Sequence, residues 1–233
     1  FGMFSLNVLK RHSTRIMINK PSSLAIIVAV ALAMWAANGS LLAKNEDLVA
    51  EGAKPVKLAG GFKFTEGPAV APNGDVYFTD IPNSRIHKWE VQTKKASVFM
   101  EKSGGANGLF FSKEGDLFAC QGESKRVTSF YLEDGGEKEL LADQFDGRPF
   151  NKPNDLWIHP NNGVFFTDPN YGKQDLSQDG EYLYFITPYR DQVFRVDADL
   201  KRPNGVVGTP DGKTLYVADP GQGETFRYTV EEG

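Results

Sequence analysis

The sequence predicts an all-β protein of the β-propeller class, and three observations carry that prediction. From about residue 54 onward, short β-branched and aromatic runs alternate with Gly, Pro, Asn and Asp turns, and no long amphipathic helical period is present. Four turn-plus-strand segments resemble one another: PNGDVYFTD at 72–80, KEGDLFACQ at 113–121, PNNGVFFTD at 160–168 and PDGKTLYVAD at 210–219. With Val76, Leu117, Val164 and Leu215 taken as equivalent, the intervals are 41, 47 and 51 residues. A period of about 40 to 50 residues with four short strands per unit is that of propeller blades.

Each element follows in order. Residues 1–43 hold Lys10, Arg11, Arg15 and Lys20, no acidic residue, and the uncharged apolar run SLAIIVAVALAMWAA from Ser23 to Ala37. Basic, apolar and then small polar residues are the order of a secretory signal, with cleavage expected between Gly39 and Ala43. The strictly apolar core is shorter than the roughly 20 residues of a membrane span; counting on to Leu42 reaches the length of an uncleaved anchor. Either Met3 or Met17 serves as a start. The expected location is the periplasm or the medium, with no membrane attachment after cleavage. Residues 44–61 form a lead-in, and residues 62–233 the propeller.

In the first unit the strands are expected at Pro68–Ala71, Asp75–Asp80, Arg85–Glu90 and Ala96–Met100, with turns at Pro72-Asn73-Gly74 and Pro82-Asn83-Ser84. The later units repeat the order. Phe110-Phe111, Phe165-Phe166 and Tyr182–Phe185 are expected to fill the core between blades, and Cys120 to pack in a strand.

Composition excludes several functions. Of 233 residues, 40% are apolar and 12% aromatic, too many for a disordered chain, and the single Cys rules out a disulfide framework and a thiolate metal site. With 26 Lys+Arg against 30 Asp+Glu, net −4, there is no general electrostatic ground for nucleic-acid binding. No G-x-S-x-G, H-E-x-x-H or P-loop pattern occurs.

The chemistry lies ahead of the repeated strands. Ten residues before Val76, Leu117 and Val164 stand Glu66, Asn107 and Asn154, and eleven before Leu215 stands Asn204. In a propeller the strand following this position is innermost, so four blades aim one carboxylate and three carboxamides at one axis. Such a ring suits a hard cation, Ca2+ first, with Mg2+ and Mn2+ as alternatives. Zn2+ is a weaker alternative, because it prefers His or Cys and His12, His87 and His159 are scattered. The competing reading of each Asn is turn chemistry.

The runs FTEGPAVAPNGDVYFTDIPNSRIHKW, GRPFNKPNDLWIHPNNGVFFTDPNYG and RPNGVVGTPDGKTLYVAD resemble the SMP-30/gluconolactonase/luciferin-regenerating-enzyme family of six-bladed propellers. The resemblance spans about Phe62 to Val230. It implies a calcium-type cation at the axis and hydrolysis of a sugar lactone, a small-molecule substrate, or of a related ester or phosphoester. By motif it implies Glu66, Asn154 and Asn204 as metal ligands, with Asn107 and Lys152 toward substrate. Lys152 stands where some members carry Arg, and Lys cannot make the same bidentate contact.

The family's fourth ligand and candidate base is an Asp in the Pro-Asp-Gly motif of the following blade. Asp211 lies in such a motif but in the turn of Asn204's own blade, so the catalytic Asp is expected beyond residue 233. About four of six blades are expected within this sequence, and the fragment alone is expected to be inactive. Asp155 is turned aside by strand alternation. Asp80, Asp168 and Asp219 are read as turn residues, and Tyr171 as either pocket or surface. Two rivals are a non-catalytic propeller that binds or scaffolds, and a metal-free strictosidine-synthase-like propeller enzyme with a Glu as base. The sequence does not determine oligomeric state.

Overall fold

The computed structural model describes residues 11–14, 50–172 and 175–231. Its strands are β1 (Arg11–Thr14), β2 (Thr65–Val70), β3 (Val76–Asp80), β4 (Arg85–Glu90), β5 (Lys95–Glu101), β6 (Ala106–Phe111), β7 (Leu117–Gln121), β8 (Arg126–Phe130) and β9 (Glu137–Ala142). They continue as β10 (Gln144–Phe145), β11 (Arg148–Pro149), β12 (Leu156–Ile158), β13 (Val164–Asp168), β14 (Tyr182–Ile186), β15 (Val193–Asp197), β16 (Val206–Gly208), β17 (Thr214–Asp219) and β18 (Glu224–Thr229). Among the described residues a single 3-10 turn, Ile81–Asn83, follows β3. The strands form four antiparallel blades: β2-β3-β4-β5, β6-β7-β8-β9, β12-β13-β14-β15 and β16-β17-β18, the last flanked by β1. The all-β propeller expectation therefore holds, with four blades. The first blade matches its expected strands closely. Its inner strand begins earlier, at Thr65, because a bulge between Glu66 and Ala69 lets Glu66 stay in register with Thr79.

The expected export segment lies, apart from Arg11–Thr14, outside the described residues. Within the separate compact unit Met17–Leu58, residues Ala50–Leu58 are described, and Ala53 N–H closes a turn on the Ala50 carbonyl at 3.0 Å. Among the described residues no helix is long and apolar enough to cross a membrane.

The repeat read from sequence is a repeat of one turn. Gly74, Gly115, Asn162 and Gly212 each have positive φ, at 88°, 92°, 72° and 75°. Their N–H groups donate to Ala71, Ser112, His159 and Thr209 carbonyls at 2.8 to 3.0 Å. Gly, and Asn in one blade, occupy this position because the left-handed conformation costs them least. Each turn joins the inner strand to the second strand, so Val70↔Val76, Phe111↔Leu117, Ile158↔Val164 and Gly208↔Leu215 are equivalent pairs.

Three apolar layers lie between successive blades. On β13 and β14, Phe166, Tyr182 and Tyr184 point into the layer toward the second blade, and Phe165, Leu183 and Phe185 into the layer toward the fourth. Period-two alternation sends neighbours to opposite faces, and with both faces covered the strand reads as one apolar run. Phe111 packs in the first layer, and Phe110 touches the other two. Cys120 is fully buried, and burial raises its thiol pKa well above the ordinary value, so it behaves as core.

Candidate active site

The inner strands β2, β6, β12 and β16 stand side by side, and the loops leading into them open onto a cleft of about 320 Å3. Glu66, Asn107, Lys152, Asn154 and Asn204 all line it. Every residue singled out from the ring spacing thus reaches one cavity. Asn154 is buried, Asn107 and Asn204 are half-buried, and Glu66 and Lys152 are exposed. Phe64, Ile81 and Pro82 form an apolar wall on the first blade.

The backbone of the ring is tied across blades. Gly108 N–H donates to the Asn154 carbonyl at 2.7 Å, Thr79 Oγ1 donates to the Asn107 carbonyl at 3.0 Å, and Thr167 Oγ1 donates to the Asn204 carbonyl at 2.6 Å. This closeness needs glycine. A Cβ on Gly108 would lie 2.6 Å from Asp155 Cα and 2.8 Å from the Asn154 carbonyl oxygen.

Asp155 does not line the cleft. Its Oδ2 accepts from Val206 N–H of the next blade at 2.9 Å, in keeping with the expectation that alternation turns it aside. Burial pushes its pKa up to about 6 against two backbone N–H donors, and the charge of Glu66 adds to the rise. Asp211 is exposed, and its Oδ1 accepts from Thr209 Oγ1 at 2.6 Å and Lys213 N–H at 3.1 Å within the β16–β17 turn.

Asp80, Asp168 and Asp219 do more than end strands. They are buried, and each carboxylate grips successive backbone N–H groups just ahead of a ring residue. Asp80 accepts from Lys63 and Phe64 at 3.1 to 3.2 Å. Asp168 accepts from Asn151 and Lys152 at 2.7 to 2.8 Å, and Asp219 from Lys201 and Arg202 at 2.9 Å. In the second blade Gln121 takes the place with reversed polarity, its Nε2 donating to the Ser103 carbonyl at 2.8 Å. Reading these Asp residues as turn formers missed the anchor. The available signal was an acidic side chain ending three apolar strands.

Burial pushes the pKa of Asp168 up to about 7, against the donors Asn151 and Lys152; Glu181 raises it further and Lys125 opposes. A carboxyl raised from 3.8 in the unfolded chain keeps its proton in the fold between about pH 4 and 7. Its contribution to stability therefore falls as pH rises through that window and levels off above it. Asp168→Asn cannot titrate, and it keeps one acceptor oxygen for the clamp. In urea denaturation at pH 4.5, 6 and 7.5, the stability of wild type relative to this variant is expected to shrink as pH rises.

The donor set fits a hard cation: one carboxylate and two carboxamides, from Glu66, Asn154 and Asn204, reach a common cavity. Among the described residues no group of three or more His, Cys, Asp or Glu is clustered as a metal site. A cation here would rest on the Glu66 carboxylate, the two amide oxygens and water.

Four blades around a cleft ringed by one carboxylate and three carboxamides define a propeller with a polar cavity where its inner strands meet. The model of the SMP-30/Gluconolactonase/LRE-like region matches residues 64–233, and the chain belongs to that family. It is 26% identical over 208 residues to a gluconolactonase of Zymomonas mobilis, covering 78% of this chain and 58% of the relative. A solved gluconolactonase of Xanthomonas campestris superposes with TM-score 0.70 at 26% identity, over 76% of this chain and 61% of that one. A calcium-binding protein, regucalcin, of Agrobacterium tumefaciens shares the fold, with TM-score 0.62 at 18% identity over 75% and 57%. The chain thus spans about three fifths of the length of the gluconolactonases it matches.

Proposed function

We propose that the complete protein is an exported, divalent-cation-dependent hydrolase of a sugar lactone, with Ca2+ as its cation. The observation that carries this reading is the convergence of Glu66, Asn107, Asn154 and Asn204 on one cleft in a chain of this family. The Zymomonas and Xanthomonas relatives, both named gluconolactonases, support the substrate class, and the regucalcin fold relative is named for calcium binding.

Glu66, Asn154 and Asn204 would hold the cation. When bound, it supplies electrophilic polarisation of the lactone carbonyl and lowers the pKa of a water. Asn107 and Lys152 offer hydrogen-bond donors to the hydroxyl and carboxyl oxygens of a sugar acid. The Asp168 clamp holds the backbone of Lys152, the point from which its side chain enters the cleft. The proton acceptor is assigned to an Asp beyond residue 233, in keeping with the sideways placement of Asp155 and the surface placement of Asp211.

The test is acid release from glucono-1,5-lactone and a small lactone panel by the complete mature protein. Activity is expected to vanish with EDTA and return with Ca2+. Hydrolysis indifferent to chelation removes the cation, and no hydrolysis with no Ca2+-dependent shift in Tm moves a binding propeller to the front.

A further inference from the structure

Asn204 is the ring residue whose side chain the protein holds. Its Nδ2 donates to the Tyr171 hydroxyl at 2.7 Å, across 33 residues of sequence and from one blade to the next. Its backbone is equally committed: the N–H donates to the Ala218 carbonyl at 2.8 Å, and the carbonyl accepts from Thr167 Oγ1 at 2.6 Å. Of the four polar groups of Asn204, Oδ1 alone has no partner among the described residues. Tyr171, 47% exposed, has a further contact. The Arg202 guanidinium lies over its ring at 5.6 Å, and the Arg202 N–H is clamped by Asp219 Oδ1 at 2.9 Å.

We infer that Tyr171 is a positioning residue that orients the Asn204 carboxamide so that its oxygen, not its nitrogen, is offered to the cleft. A carboxamide binds a hard cation only through oxygen, and its NH2 face repels one. The phenol hydroxyl can donate as well as accept, so it selects no face alone; by accepting from Nδ2 it supports the arrangement that leaves Oδ1 free for the cleft. Arg202 and Lys152 illustrate the division of work. Both precede a Pro-Asn pair, but Lys152 lines the cleft whereas Arg202 stacks on Tyr171. The inference rests on the cation reading for its functional consequence, and on geometry alone for the orientation.

The test compares wild type, Tyr171→Phe, Asn204→Ala and the double variant in the complete protein, with Ca2+ binding read by calorimetry. Tyr171→Phe keeps the ring under Arg202 and removes only the hydroxyl. It is expected to weaken Ca2+ binding roughly 10-fold, the lower range for loss of a partner that orients a metal ligand. In the Asn204→Ala background the same change is expected to have no further effect, since the cycle isolates what acts through Asn204. An equal loss in both backgrounds, or no loss in either, overturns the inference. A wild type that binds no Ca2+ and hydrolyses no lactone overturns the proposed function instead. In that event the orientation is judged by NMR from the Asn204 side-chain amide protons. They are expected to shift and exchange faster in Tyr171→Phe, and unchanged signals reject the inference.

Discussion

Glu66→Gln in the complete protein is expected to lower lactone hydrolysis by about 100-fold or more, while leaving the cation-free protein as stable as wild type. The size follows from the donor set. Glu66 is the sole carboxylate among the three residues within 1–233 assigned to the cation, and losing even an outer-shell partner costs 10–100-fold in metal affinity. The selectivity follows from the structure. Glu66 is exposed on the cleft side of β2, and its carboxylate has no hydrogen-bond partner among the described residues, so replacing it removes no fold contact. Surface changes of that kind stay within about 0.5 kcal/mol. Kinetics with Ca2+ and thermal denaturation without it measure the two halves. Unaltered hydrolysis would remove the metal-hydrolase reading.

Gly67→Ala is expected to cost about 3 to 5 kcal/mol of stability, enough to unfold a marginal domain. Gly67 has φ +49°, and a Cβ there would collide with the Asn107 carbonyl oxygen and stand 2.8 Å from Gly108 Cα. Both obstacles are backbone of the neighbouring inner strand, so no side chain can swing away. Gly61→Ala provides the control. Its φ is +92° with nothing within 4 Å of the added Cβ, and it should show only the left-handed penalty of about 1–2 kcal/mol. Chemical denaturation of both variants separates conformational strain from collision. Equal losses would show that the close approach of β2 to β6 contributes nothing.

The fold and the ring of site residues were legible because both rest on local chemistry that repeats. A left-handed residue in each hairpin turn fixes the inner and second strands, and counting back from the second strand finds Glu66, Asn107, Asn154 and Asn204. What sequence did not reveal is lateral. The Asp80, Asp168 and Asp219 side chains reach 16 to 18 residues back along the chain to backbone donors, and an Asp in such a clamp is spelled like an Asp in a turn. Tyr171 was open between surface and pocket because its partner lies in another blade. Alternation placed Asp155 off the cleft but could not show the Val206 N–H it serves. For Lys152 and Arg202, the Pro-Asn that follows both gave no hint that one would face the cavity and the other an aromatic ring.

The ties between a ring carbonyl and the blade before it have a consequence for how such a molecule can be altered. Thr79 holds Asn107, and Thr167 holds Asn204. At the corresponding place in the second blade stands Cys120, and there the Asn154 carbonyl takes the Gly108 N–H instead. Asn107, Asn154 and Asn204 are thus each written half in their own blade and half in its predecessor. A whole blade transplanted from a relative would arrive with its hydroxyl or its glycine matched to the wrong neighbour. The interchangeable part is the seam: the inner strand of one blade together with the inner and second strands of the blade before it.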